Sequence, residues 1–260
     1  MGAARFRLTV ALAGGLLAAV ATANVAHAND LTIGAAWSLK PAFQEILPMF
    51  EKEYGATVKV VYGSSPVLRR QIEQGAPIDV FLPAGVEDVR KLQRKGMTLN
   101  GGVRVYALTS LVLVMPSESS AMSLRDLAPS RSTRLALGDP TQSSLGEATA
   151  KALTGLDPAL GNRAALVHAA HGQAVVDLVR GGRADAGIVY RVDAINSAHV
   201  RIVDETLSGA PASVPFGQAV VWTCRESSRA TAEDFFNFMI SPRIQKLLLK
   251  HGFDPVAPNS

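Results

Sequence analysis

Along most of this chain short apolar runs alternate with amphipathic helical stretches, and the order of that alternation limits the folds open to it. The first run, "DLTIGAA" at 30–36, passes through Trp37 and Ser38 into a stretch at 38–54 that carries Leu39, Phe43, Ile46, Leu47 and Phe50 at helical spacing. Next come "TVKVVYG", a helix expected at about 66–74, "IDVFLPA", a helix at about 86–95, and two β runs in "VRVYALTSLVLVMP". A βαβ order asks for parallel strands joined by crossover helices, because parallel neighbours cannot be linked by a tight turn. A second series repeats it with "RLALGD", a helix at about 146–154, "AALVHA", a helix at about 172–180, and "DAGIVY". The chain then returns through "SVPFGQAVVWT" to amphipathic stretches at 231–240 and 242–251. The expected fold class is α/β with two lobes, each a mostly parallel sheet flanked by helices, and a ligand cleft between them. We expect lobe 1 at 29–109 and 218–260 and lobe 2 at 110–217, with hinge strands near "SLVLVMP" and "FGQAVVW".

The first residues have the layout of an export signal. Arg5 and Arg7 precede an apolar stretch from Leu8 to Val25, and Ala26-His27-Ala28 forms an A-x-A site, so cleavage is expected after Ala28. About 230 residues then remain, enough for two lobes with their own cores. The 26 Lys and Arg face 22 Asp and Glu, and loss of Arg5 and Arg7 with the leader leaves an excess of only +2. These cations are scattered, with no stripe and no interleaved aromatics, which argues against a nucleic-acid partner. A lone Cys224, within "AVVWTC", cannot form an intrachain disulfide and is expected as a small buried hydrophobe. His168 and His171 could share a helix face, but no third His, Cys or acid run supports a metal site. Nor is there a G-x-S-x-G elbow, a phosphate loop or an H-E-x-x-H pair, so no enzymatic activity and no cofactor are expected.

What the pattern does offer is helix starts at strand ends. In an open α/β sheet ligands sit beyond the C-terminal ends of the strands, where first-turn amides and the helix dipole favour an anion. Ser38 follows the first strand and Ser65 the second, with Pro66 at a plausible first helical position. In the second series, "GDPTQSSLGEATAKAL" starts a helix near Leu145-Gly146 and "HAAHGQAVVDLVRGG" another near Gly172, where backbone amides would do the work. Tyr190, closing "GIVY", adds a hydroxyl. No Arg or Lys stands at these five places. Their donors are neutral, and such a set suits an anion that carries no proton, such as sulfate, molybdate or tungstate. Glu147, in the first turn of its helix, is expected to point away from the site.

The segments "AAWSL", "SSPVLRRQIEQGAPIDVFLPA", "LALGDP…GEATAKAL" and "AGIVYRVDA", with "GF" near the C-terminus, resemble in order and spacing the molybdate-binding periplasmic proteins of ABC importers. The resemblance runs from about residue 31 to 253, and it implies the two-lobed type II periplasmic binding protein fold. It also implies a periplasmic monomer that binds molybdate or tungstate and delivers it to an ABC permease in the inner membrane, the metal being held as its oxyanion rather than by direct ligands. The oxyanion-binding residues it implies are Ser38, Ser65, Leu145, Gly172 and Tyr190, with Trp37 and Ser64 as pocket lining. Trp37 stands where the family usually has a small residue. Pro66 removes an amide, and Ser144-Leu145 replaces the commoner proline plus small residue. Another oxyanion, a small organic acid, or an exported serine hydrolase using Ser38 or Ser65 are the alternative readings.

Overall fold

The computed structural model describes residues 30–99, 102–123, 126–127, 132–156, 164–195, 197–204 and 213–256. The expected leader and its cleavage point lie outside the described residues. Two five-stranded sheets organise the rest. The first contains β1 (Asp30–Ala36), β2 (Thr57–Gly63), β3 (Val80–Leu82), β4 (Arg104–Thr109) and β10 (Val214–Val220) in the order β2-β1-β3-β10-β4. The second contains β5 (Leu111–Pro116), β6 (Arg134–Gly138), β7 (Ala165–Ala169), β8 (Ala186–Tyr190) and β9 (Val200–Asp204) in the order β7-β6-β8-β5-β9.

Strands joined by helical crossovers pair in parallel, as their connections require: β1 with β2 and β3, and β6 with β7 and β8. Strands next to a change of lobe run the other way. β10 is antiparallel to β3 and β4, and β5 to β8 and β9, so both sheets are mixed. Ser110 alone separates β4 in one sheet from β5 in the other. The return crossing lies between β9 and β10, and all of β10 pairs in the first sheet. The division expected between residues 217 and 218, and the hinge at "FGQAVVW", therefore cut through a strand. An apolar run does not reveal which sheet an antiparallel strand joins.

The helices are α1 (Lys40–Tyr54), α2 (Ser65–Glu73), α3 (Glu87–Arg94), α4 (Ser144–Leu156), α5 (Gly172–Arg180), α6 (Arg191–Ala194), α7 (Arg229–Phe238) and α8 (Pro242–Lys250). Side chains of successive strand residues alternate between faces, and the first sheet is covered on both. Ile33, Val80 and Leu82 share a core with Phe43, Ile46 and Phe50 of α1, while Phe81 packs with Leu68 and Ile72 of α2 and Leu92 of α3. Phe235 of α7 meets Phe43 and Phe50 edge-on at 6.2 and 5.0 Å, so the C-terminal helices complete the first lobe. Buried Asp79 ties the same ends together, accepting from the Thr32 amide at 2.7 Å and from Arg225 Nη2 at 2.8 Å.

The junction of β6 and α4 positions the second lobe's part of the cleft. A Cβ on Gly138 would lie 2.4 Å from the Gly146 nitrogen, and one on Gly146 would lie 2.3 Å from the Asp139 carbonyl oxygen. Helix start and strand end touch backbone to backbone, an approach that only glycine permits. Gly146→Ala is expected to cost about 1–3 kcal/mol by overpacking, seen as a lower Tm in thermal unfolding; an unchanged Tm would contradict this packing.

Candidate functional site

Between the lobes lies a cavity of about 20 Å³, lined by Ser38, Ser65, Leu145, Gly172 and Tyr190 together with Trp37 and Ser64. One water needs about 10–15 Å³ on this measure, so the space suits a compact guest. The residues come from five separate strand ends. Ser38 sits in a 3₁₀ turn after β1, Ser65 opens α2 after β2, Leu145 and Gly172 lie in the first turns of α4 and α5, and Tyr190 ends β8. Neither Lys nor Arg, and neither Asp nor Glu, is among the described residues lining it.

The hydrogen bonds around the cavity leave several of its donors without an acceptor among the described residues. Ser65 Oγ accepts from the Ala84 amide at 2.9 Å, which occupies its oxygen and leaves its hydrogen to give. Ser38 is not an N-cap to its own helix, since the 3₁₀ turn has Ala36 before it and α1 starts after Leu39, neither with a side-chain cap. Leu145 and Gly172, as first-turn residues, carry amides without an intrahelical acceptor. Tyr190 is buried and its ring meets Phe216 edge-on at 5.4 Å. Burial, with carboxylates at Asp193, Asp88 and Glu147 adding to it, pushes its phenol well above its ordinary value, so the hydroxyl keeps its hydrogen.

Other neighbours hold the lobes together. The Ser64 hydroxyl donates to the Gln142 carbonyl across the cleft, so it bridges lobes. Ser144 Oγ donates to Asp88 Oδ2 at 2.9 Å, and Asp88 also accepts from Arg69 Nε at 2.9 Å. Glu147 faces Lys91 at 3.4 Å and Lys151 at 3.2 Å and lines an adjoining cleft of about 280 Å³, which shares Ala84, Ser144 and Tyr190 with the small cavity; Glu147 itself does not line the small cavity. The Trp37 ring lies between Tyr62 and His171, with centroids 5.5 and 5.4 Å away, and Lys40 Nζ is 5.5 Å from the same ring. His171 caps α5, its Nδ1 accepting from the Ala174 amide at 3.2 Å. No group of three or more potential metal ligands occurs among the described residues. Cys224 is free and buried, and burial pushes its thiol up to about 11.

Sequence reasoning missed Ser143, which lines the cavity and whose Oγ lies 3.4 Å from the Gly146 amide, and Asp193, whose carboxyl lies directly behind Gly172. The second depends on contacts between distant segments. The doubled serine in "SSLGE" was a readable signal for the first, whereas the second had none.

A family model for bacterial extracellular solute-binding proteins matches residues 31–254. An ABC transporter substrate-binding lipoprotein of Bacillus subtilis (strain 168), YvgL, to which that role is assigned provisionally, is 31% identical over 86% of this chain and 85% of its own. The molybdate-binding protein ModA of Escherichia coli (strain K12) is 30% identical over 90% of this chain and 93% of its own. The periplasmic molybdate-binding protein of Azotobacter vinelandii superposes with a TM-score of 0.71 at 24% identity, covering 88% of this chain and all of that one, which shows a shared fold.

Burial depresses the His171 imidazole below its ordinary value, so the ring is a neutral acceptor near pH 7. A lowered folded-state value means that the cap's contribution is complete above the unfolded value of 6.5 and is lost as pH falls below it. In urea unfolding, the wild-type protein should lose more stability between pH 7 and 5 than His171→Asn, whose capping oxygen does not titrate; equal losses would contradict the capping role.

Proposed function

The chain belongs to the bacterial extracellular solute-binding proteins, and on that premise we propose that it captures a tetrahedral oxyanion, molybdate or tungstate, outside the cytoplasm for delivery to an ABC permease in the inner membrane. One observation carries this reading: Ser38, Ser65, Leu145, Gly172 and Tyr190, drawn from both lobes, line one small cavity with no Asp, Glu, Lys or Arg among its described lining residues. The name of the Escherichia coli relative supports the choice of anion.

Capture makes and breaks no covalent bond. Ser38 and Ser65 donate from one lobe; Leu145 and Gly172 donate through N–H, and Tyr190 through its hydroxyl, from the other. Closing the lobes replaces the hydration shell of the ion with these fixed dipoles. Each charge-assisted bond contributes roughly 1.5–3 kcal/mol. Phosphate is disfavoured, because its monohydrogen form brings a proton and no carboxylate among the described residues lines the cavity to accept it. The metal arrives as cargo inside its oxyanion, and no resident cofactor enters the reading. A cleaved leader and a monomeric mature chain complete it.

Calorimetric titration with molybdate, tungstate, sulfate and phosphate is the test. Molybdate and tungstate should bind most tightly and phosphate least, with Ser65→Ala and Tyr190→Phe each weakening molybdate about 10–100-fold, the equivalent of one such bond. Absence of binding to all four anions, or a preference for phosphate, would overturn the reading.

A further inference from the structure

Behind Ser38 lies a second cavity, of about 80 Å³, which shares Trp37 and Ser38 with the first and is walled on its far side by Asp193 and Ser197. Asp193 is only 6% exposed. Its Oδ2 has no hydrogen-bond partner among the described residues, and it lies 1.9 Å from where a Cβ on Gly172 would stand. Ser38 lines the same cavity as that carboxyl, close enough to draw its titration down. One buried carboxyl thus lies beside two of the five residues assigned to the anion, Ser38 and Gly172, without lining the small cavity itself.

Among the described residues no cation pairs with it. Arg191, on its own helix α6, donates to the Gly252 carbonyl at 3.2 Å. Lys40, at the start of α1, lies over the Trp37 and Tyr62 rings. His171, capping α5, is held neutral by burial and has its Nδ1 occupied by Ala174. The Tyr190 hydroxyl at the end of β8 stays protonated, and Ser197 Oγ donates to the Asp193 backbone carbonyl rather than to its carboxyl.

Resting on the oxyanion reading, we propose that Asp193 is a proton-carrying positioning residue: neutral in the loaded protein, it donates its hydrogen to Ser38 Oγ, so that Ser38 turns its own hydrogen to the anion, and binding takes up one proton from solvent. The carboxylate gains that proton and no other bond is made or broken. When Asp193 is ionised instead, it consumes the Ser38 hydrogen and sets a negative charge behind Gly172, facing a dianion. Burial already pushes the Asp193 carboxyl up to about 7, with Ser38 drawing it part of the way back, so in the unloaded protein it is mostly ionised at pH 8. A dianion nearby raises it further, since like charge disfavours the ionised form.

The test is calorimetric titration of the full mature protein with molybdate, which stays doubly charged over the range used, in buffers of differing ionisation enthalpy. At pH 8 the wild-type protein should take up close to one proton per anion, and its affinity should fall by up to about tenfold per pH unit from pH 7 to 9. Asp193→Asn, whose amide donates to Ser38 at every pH, should take up none and bind with pH-independent affinity. Binding by the wild-type protein without proton uptake and with flat affinity would overturn this inference while leaving the oxyanion reading intact, as would unchanged uptake in Asp193→Asn. Failure to bind any oxyanion would overturn both. Should Asp193→Asn not fold, the wild-type proton count decides alone.

Discussion

First-turn amides without acceptors are the constraint from which the rest of the structure follows. A helix must satisfy its first N–H groups from outside itself, and here α4 and α5 aim theirs at a space shared with two serines and a tyrosine from other strand ends. Neutral donors of this kind are weak for a neutral guest. For an anion they act together, because fixed dipoles in a buried site need not reorganise when the charge arrives. With no lysine or arginine among the described residues lining the space, an anion there would have dipoles as its partners and meet no counter-charge that would also welcome other acids.

Holding such dipoles in place takes the whole two-lobed frame. Gly138 and Gly146 let α4 start against the end of β6, and Gly172 leaves room for Asp193 where any side chain would collide with it. Across the cleft, the bonds from Ser64 to Gln142 and from Ser144 to Asp88, with the stacking of Trp37 on His171, set the distance between the lobes. These contacts spend side chains on geometry rather than on the guest, and they divide two neighbouring serines into different tasks: Ser64 bridges, while Ser65 faces the cavity with its oxygen already satisfied.

Much of this was legible in the sequence because it is local. The βαβ alternation marked the crossover strands, and the helix starts at Ser65, near Leu145 and at Gly172 followed from small residues after apolar runs, within two residues of where they lie. The resemblance of the "QIEQGAPIDVF" block and its neighbours carried the fold class. Less legible was whatever depends on partners far along the chain. β10 was split at 217 because periodicity says nothing of the sheet a strand joins, and nothing near Ser38 in the chain announces that, from its 3₁₀ turn, it shares a cavity with Asp193, 155 residues away. Trp37 was marked as a departure from the family's usual small residue; that it stacks on a histidine from the other lobe needed the fold.

A crystal of the protein grown with tungstate would test the central claim most directly, since the anomalous signal of tungsten fixes the ion without ambiguity. The account predicts a single strong peak enclosed by the hydroxyls of Ser38, Ser65 and Tyr190 and the amides of Leu145 and Gly172, with every oxygen of the anion within hydrogen-bonding distance of a neutral donor. A peak in the larger cleft beside Arg90 and Lys151, or any cationic side chain in contact with the ion, would contradict it.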